Sequence, residues 1–131
     1  VDPICAIVVD VCHGTTPDSG NASTFKIGTG TVITCGPNIN RKLFEIAKSV
    51  AEKENIKYSV EVEGGHTGTD AWVVQTTKDG VATLLLSIPL RYMHTTVETL
   101  DMRDVEETAK LISNVLLNIK PEEFSLCTLK N

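Results

Sequence analysis

The sequence has few aromatic residues and no concentration of positive charge. Trp, Tyr and Phe together make up 5% of the 131 residues, and 12 Lys and Arg stand against 17 Asp and Glu, for a formal net charge of -5. No run of basic residues is longer than the pair Arg41 and Lys42. A surface for nucleic acid or anionic lipid needs a basic patch, so we expect no nucleic-acid partner and no membrane partner.

Long hydrophobic runs are also missing. The longest ones cover 4–9 and 81–88, whereas a membrane-spanning helix needs about 20 apolar residues. The first residues lack the basic region, apolar stretch and small-residue cleavage site of a secretory signal. Because 41% of the residues are hydrophobic, the composition favours one soluble domain with an ordinary core.

The cysteines do not form a C-x-x-C pattern. Cys5 lies inside an apolar run, and buried cysteine behaves as a small hydrophobic residue. Free thiols are therefore favoured over disulfides, which predicts a reducing, cytoplasmic setting. The four cysteines are Cys5, Cys12, Cys35 and Cys127.

Strand and helix patterns alternate along the chain. The run 4–9 is β-branched without alternation, which is typical of a strand covered on both faces, and it ends at Asp10. Alternation in 58–62 instead predicts a strand with one wet face or an edge strand. Two further strands are predicted over 31–34 and over 81–88, the latter ended by Pro89.

Three helices are predicted between these strands. The first opens after Gly36 with apolar residues at three- and four-residue spacing, and the second begins at Thr69 or Asp70 and stops at Gly80. The last begins at about Asp101. The alternation predicts an α/β fold with three α/β/α layers and a mostly parallel or mixed sheet.

Polar residues follow three of the predicted strands, in 10–16, 64–70 and 89–98. We expect these segments to share one rim of the sheet. Asp10 and His94 supply an oxygen and a nitrogen donor that suit zinc, cobalt or manganese. Two structural alternatives stay open: Asp10 as a carboxylate that caps a loop, and His94 as a packed or hydrogen-bonded loop histidine.

Other chemistries find little support. There is no G-x-S-x-G motif, and the glycines around Gly28 lack both the G-x-G-x-x-G pattern and a P-loop lysine. His13 and His66 are weaker ligand candidates than His94. The glutamate pairs, which are interpreted as solvated surface charge, are Glu61 with Glu63, Glu106 with Glu107, and Glu122 with Glu123.

Four segments carry a family resemblance: AIVVDVCHGTTPD, GTGTVITCGPNI, VEGGHTGTDAWVVQ and LLSIPLRYMHTTVETLDMRDVEETAKL. In this order, along nearly the whole chain, they resemble the dinuclear-metal aminopeptidases, a family with glutamyl, deblocking and tetrahedral members, some of them labelled endoglucanases. The combination of RYMHTTVE with GHTGTDAW is specific. The resemblance implies a metallo-aminopeptidase that hydrolyses N-terminal residues from peptides and forms a homo-oligomer.

The resemblance also implies roles for individual residues. Asp10 and His94 would each bind one of two divalent metal ions, zinc, cobalt or manganese. The metals would polarise the scissile carbonyl while a glutamate base activates a bridging water. His66 and Arg91 match positions that would shape the substrate pocket, whereas helix capping is the stronger interpretation for Thr69.

The sequence departs from the family pattern in one respect. The further histidine, the bridging aspartate and the glutamate pair of the family come from segments that would precede Val1. We therefore expect 1–131 to be the C-terminal portion of the catalytic domain, inactive alone and without stably bound metal, and to self-associate through the bare edge of its first strand. A non-catalytic structural or regulatory subunit and an endoglucanase-type glycoside hydrolase remain as alternatives.

Overall fold

A computed structural model describes residues 3–20 and 22–124. Four strands form one sheet, and helices lie on both of its faces. The elements, in chain order, are β1 (Cys5–His13), β2 (Thr31–Cys35), α1 (Arg41–Lys53), β3 (Tyr58–Val62), α2 (Asp70–Gln75), β4 (Ala82–Leu90), α3 (Met102–Asn118) and a short 3-10 turn (Pro121–Glu123).

The sheet is mixed and has the strand order β1-β4-β2-β3. β1 is parallel to β4, β2 is parallel to β3, and the two pairs meet where β2 runs antiparallel to β4. This confirms the α/β prediction with a mixed sheet, and β3 is the predicted edge strand. β1 is the other edge of the described sheet. Cys5 and Ile7 pack against the main core and Val8 against the cluster on the opposite face, so both faces are partly covered as expected, while Val9 is 45% exposed.

Three element boundaries differ from the sequence prediction. β1 continues past Asp10 to His13, so Asp10 lies inside the strand and not at its end. Pro89 lies inside β4 instead of ending it, because a proline near a strand end still offers its carbonyl as an acceptor. The strand continues to Leu90, whose carbonyl accepts from the Gly14 amide at 2.8 Å. α2 ends at Gln75 rather than near Gly80, since the Thr76 and Thr77 hydroxyls donate to backbone carbonyls there.

The main core lies between the sheet and the helices α1 and α3. It is centred on the fully buried side chains of Ile33, Leu43, Leu86 and Leu111. α2 packs on the opposite face, where Ala71 meets Leu85 and Ile39 in a smaller cluster. The three predicted layers are therefore present, but the layer formed by the six-residue α2 covers only part of its face.

The carboxylate of Asp104 joins α3 to the loop that leads into β2. It is fully buried, and its Oδ2 and Oδ1 accept hydrogen bonds of 2.6 Å from the amides of Gly28 and Gly30. Gly30 has φ 98°, and a Cβ there would collide with the carbonyl oxygen of Lys57. The first residue of β2 is thus fixed between α3 and the strand β3.

The N-terminus of α1 gives a stability prediction. The Asn40 side chain accepts from the Leu43 amide at 3.1 Å and so satisfies one of the free donors of the first turn. Asn40→Ala is expected to lower the free energy of unfolding by about 1 kcal/mol. Asn40→Asp keeps the acceptor oxygen and should stay close to wild type in a urea titration, and an equal loss in both variants would contradict the capping role.

No helix in the described ranges 3–20 and 22–124 is long and apolar enough to cross a membrane. Cys5, Cys12 and Cys35 are free thiols, as the sequence predicts. Cys127 lies outside the described residues.

Candidate active site

The strand alternation places polar side chains on the sheet face that α2 leaves uncovered. Asp10 of β1, Ser87 of β4, Thr34 of β2 and Glu61 of β3 all border one cavity of about 420 Å³. The opposite face of the same strands carries the apolar core. The cavity therefore has a floor of sheet side chains, and loops form its walls.

Asp10 and His94, the two predicted metal ligands, both line this cavity. Asp10 is half-buried, and its Oδ1 accepts from the Val11 amide at 2.8 Å, which leaves Oδ2 without a protein donor among the described residues. His94 is exposed, with φ 62°, and its backbone amide donates to Glu98 Oε1 at 2.7 Å. Left-handed backbone at a non-glycine residue is uncommon and concentrates at functional sites.

The prediction that three polar segments share one rim was wrong. Because β2 and β3 run antiparallel to β4, the carboxyl end of β3 lies at the opposite rim from the carboxyl ends of β1 and β4. The segment after β3 nevertheless reaches the cavity, since residues 67–69 fold back over the sheet face. The Asn38 side-chain amide donates to the Gly65 carbonyl and holds this segment near the sheet.

The two predicted substrate-binding residues, His66 and Arg91, do not line the cavity. His66 Nδ1 accepts from the Gly68 amide at 3.0 Å, and the imidazole centroid lies 4.6 Å from that of Trp72. Arg91 Nε donates to the Thr15 carbonyl at 2.5 Å and so fixes the loop after β1. Their roles in substrate binding stay predictions.

Thr69 has the capping role that the sequence favours. It is the N-cap of α2, and its Oγ1 accepts from the Ala71 amide at 3.3 Å and lies 2.9 Å from Thr67 Oγ1. Thr69 and Thr67 also line the cavity. The residue that caps α2 is therefore also part of the cavity wall.

Sequence reasoning missed Glu61 and Glu63, which it assigned to solvated surface charge. Both are half-buried and line the cavity. The Thr34 hydroxyl donates to Glu61 Oε2 at 3.1 Å. The period-two alternation of β3 was the available signal, because it puts both glutamates on one face, but only the position of β3 beside β2 shows what that face meets.

Cys12 also lines the cavity but is not a nucleophile. Burial, together with the smaller effect of the negative charges of Glu61 and Asp104, raises the pKa of its thiol to about 12. The side chain is 7% exposed. Since the thiolate is the reactive form, this cysteine stays protonated and inert at neutral pH.

The donors at the cavity fit part of a metal site. Within the described ranges, no group of three or more His, Cys, Asp or Glu side chains is placed to hold a metal ion. Asp10 and His94 provide one carboxylate and one imidazole, and His13 also borders the cavity, whereas a catalytic zinc takes three protein ligands in one place. These two residues suit a metal site that draws its other ligands from elsewhere.

The sequence profile described as M42 glutamyl aminopeptidase matches residues 1–111. The chain belongs to this family. The match covers β1 to most of α3 and therefore includes every residue that lines the cavity.

Individual relatives agree with this assignment. The lysyl aminopeptidase of Pyrococcus furiosus is 44% identical over 125 residues, which are 95% of this chain and 36% of that protein. The TET aminopeptidase of the marine sediment archaeon Thaumarchaeota archaeon SCGC AB-539-E09 superimposes with a TM-score of 0.84 at 24% identity, over 95% of this chain and 37% of that one. The fold prediction is thereby confirmed.

A third relative is the TET1 peptidase of Pyrococcus horikoshii, which can assemble into a tetrahedron or a large octahedral shell. It is 32% identical with a TM-score of 0.58, over 85% of this chain and 32% of that one. The chain thus spans about a third of the length of these relatives.

Proposed function

We propose that this chain is the C-terminal portion of a metal-dependent aminopeptidase, which removes N-terminal residues from peptides. The observation that carries the proposal is the meeting of Asp10 and His94 at one cavity, although 84 positions separate them in the sequence, 94 less 10. Membership of the aminopeptidase family supports it.

Asp10 and His94 would each hold one of two divalent ions, zinc, cobalt or manganese. When bound, such ions polarise a scissile carbonyl and lower the pKa of water. The Val11 amide orients the Asp10 carboxylate through Oδ1, so that Oδ2 is free to face a cation. Glu98 accepts from the backbone amide of His94 and so fastens the turn that carries this residue.

The remaining ligands and the general base would come from parts of the enzyme beyond these 131 residues, since the described residues offer no third ligand. The chain alone would therefore be inactive and would not hold metal stably. The assemblies of the TET1 peptidase support a homo-oligomeric enzyme. Three free thiols agree with a cytoplasmic location.

Metal removal tests this proposal. Extensive dialysis of the intact enzyme against a chelator should abolish release of p-nitroaniline from aminoacyl p-nitroanilides, and added zinc, cobalt or manganese should restore it. Metal analysis of the 131-residue chain should find far less than one ion per molecule. If the metal-loaded intact enzyme cleaved none of a panel of neutral, basic and acidic substrates, the assignment would be wrong.

A glycoside hydrolase is the weaker alternative, and the pair of glutamates in the cavity is the observation that keeps it open. Glu61 in β3 and Glu63 directly after β3 both line the cavity, and glycoside hydrolases use a pair of carboxyl groups. Release of reducing sugar from cellulose, lost in Glu61→Gln, would favour this alternative. Absence of such release from the active peptidase would eliminate it.

A further inference from the structure

The turn that carries His94 is closed at its base by backbone pairing. The Arg91 amide donates to the Thr99 carbonyl at 2.9 Å, and the Thr99 amide donates back to the Arg91 carbonyl at 3.1 Å. The Arg91 side chain ties this base to the loop after β1, through its hydrogen bond to the Thr15 carbonyl. Residues 92–98 therefore form a loop with both ends fixed, and the conformation of His94 depends on contacts within this loop.

The backbone at the tip of the turn is in an unfavourable conformation. Tyr92 has φ 59° and His94 has φ 62°, with only Met93 between them. In this left-handed region the Cβ of an L-residue comes too close to the carbonyl oxygen that follows it, so the conformation persists only where surrounding contacts hold it. Both residues therefore need hydrogen bonds that keep the turn from relaxing.

Different side chains hold the two strained residues. The Thr95 amide and hydroxyl both donate to the Tyr92 carbonyl, at 3.1 Å and 2.6 Å, and so fasten the first of them. The His94 amide donates to Glu98 Oε1 at 2.7 Å. Because the acceptor is a carboxylate and the distance is short, this is a charge-assisted hydrogen bond of the stronger kind. Glu98 thus holds the strained residue that borders the cavity.

The backbone conformation of His94 decides where its side chain starts. Rotation about the N–Cα bond carries the Cβ with it, so a turn that relaxed out of the left-handed region would point the Cα–Cβ bond in another direction. The side-chain torsions of the imidazole remain free to rotate. A fixed backbone therefore restricts the positions of the imidazole without selecting a single one.

Glu98 is not itself placed as a ligand. It is exposed and does not line the cavity that Asp10 and His94 border. It also belongs to no group of three or more metal-ligating side chains within 3–20 and 22–124. The hydrogen bond recorded for its carboxylate among these residues is the one to the His94 amide. The structure thus offers a route from Glu98 to a metal ion that passes through His94.

We propose that Glu98 is a positioning residue, which holds the His94 backbone in the conformation that directs the imidazole to the metal ion and thereby raises the affinity for this ion. The inference rests on the proposed function, in which His94 holds one of two divalent ions. Its physical basis is preorganisation: a ligand already held near its bound conformation loses less conformational freedom when the metal binds.

The experiment measures the zinc affinity of the intact enzyme by competition with a chromophoric chelator. Glu98→Ala should weaken the binding of one of the two ions by about tenfold or more, the size expected for an outer partner of a ligand. Glu98→Gln keeps an acceptor oxygen for the His94 amide without the charge, and it should stay within about threefold of wild type. Circular dichroism should show the same fold in both variants.

A double-mutant cycle tests whether Glu98 acts through His94. His94→Ala should weaken the same ion, and Glu98→Ala should have no further effect on zinc affinity in the His94→Ala background.

Glu52→Ala is the matched control, because Glu52 is an exposed glutamate that also accepts a hydrogen bond, from the Tyr58 hydroxyl at 2.9 Å, but lies outside the cavity lining. It should leave the affinity for both ions within about twofold of wild type.

The two levels of the proposal fail in different ways. An unchanged zinc affinity in Glu98→Ala, an equal effect of Glu98→Ala with and without His94, or a loss in Glu98→Gln as large as in Glu98→Ala would overturn the positioning role alone. The last result would show that the charge of Glu98 acts through space and not through its hydrogen bond. A wild-type enzyme that binds no zinc and cleaves no aminoacyl p-nitroanilide would overturn the aminopeptidase function and the positioning role together.

Discussion

Asp10→Asn is expected to reduce kcat/KM of the intact enzyme by more than about 100-fold. This loss exceeds the one expected when a residue that only hydrogen-bonds to a metal ligand is removed. The physical reason is charge: a neutral amide oxygen replaces a carboxylate oxygen that would contact a divalent cation. The shape of the side chain is nearly unchanged, and the Val11 amide still finds an acceptor in the amide oxygen. The loss should appear with every aminoacyl p-nitroanilide and should not depend on the N-terminal side chain.

Metal content separates this explanation from a folding defect. Asp10→Asn should hold fewer ions per molecule than wild type, by elemental mass spectrometry, while its circular dichroism spectrum stays unchanged. Asp79→Asn is a suitable control, since Asp79 is an exposed aspartate outside the cavity lining. Full activity in Asp10→Asn would contradict the metal role of Asp10. The residue would then be interpreted as a carboxylate that caps a loop.

The sequence was sufficient to predict the features that depend on neighbouring residues in the chain, such as helix starts and loops. Thr69 and Asp101 were predicted helix starts and are the N-caps of α2 and α3. His94 was placed correctly in a loop, and Asp10 correctly in the first strand, but the strand does not end at Asp10 as predicted and continues to His13. The family resemblance then connected two residues that no local spacing relates.

The features that depend on strand pairing, such as which side chains meet at the cavity, could not be predicted in the same way. Glu61 alternates with apolar neighbours, as any glutamate on a wet strand face does, and its cavity position results from the insertion of β2 between β3 and β4. The same antiparallel contact made the single-rim prediction wrong. Ser87 gave no signal, because a serine in an apolar run is equally compatible with either face.

β1 illustrates a further limit of pattern reasoning. A continuous apolar run indicates a strand covered on both faces, but β1 has a neighbour only on the β4 side in the described sheet, and Ile4 and Val9 are 48% and 45% exposed. An exposed apolar edge favours pairing with further chain segments. We therefore expect the isolated chain to self-associate through β1.

Asp104→Ala is expected to cause the largest loss of stability, about 3 kcal/mol or more in the free energy of unfolding. The substitution would leave the amides of Gly28 and Gly30 without their acceptor, in a place where the Asp104 side chain now excludes water. Each buried donor left unpaired costs about 1–3 kcal/mol. Asp104 also lies in the first turn of α3, where a negative charge is favourable to the helix dipole.

Two variants on the same helix make this prediction specific. Asp104→Asn keeps one acceptor oxygen but turns an NH₂ group towards the second amide, so it should lose stability and fall between Asp104→Ala and wild type. Glu106→Ala, at an exposed position two residues further on, should stay within about 0.5 kcal/mol of wild type in urea titrations.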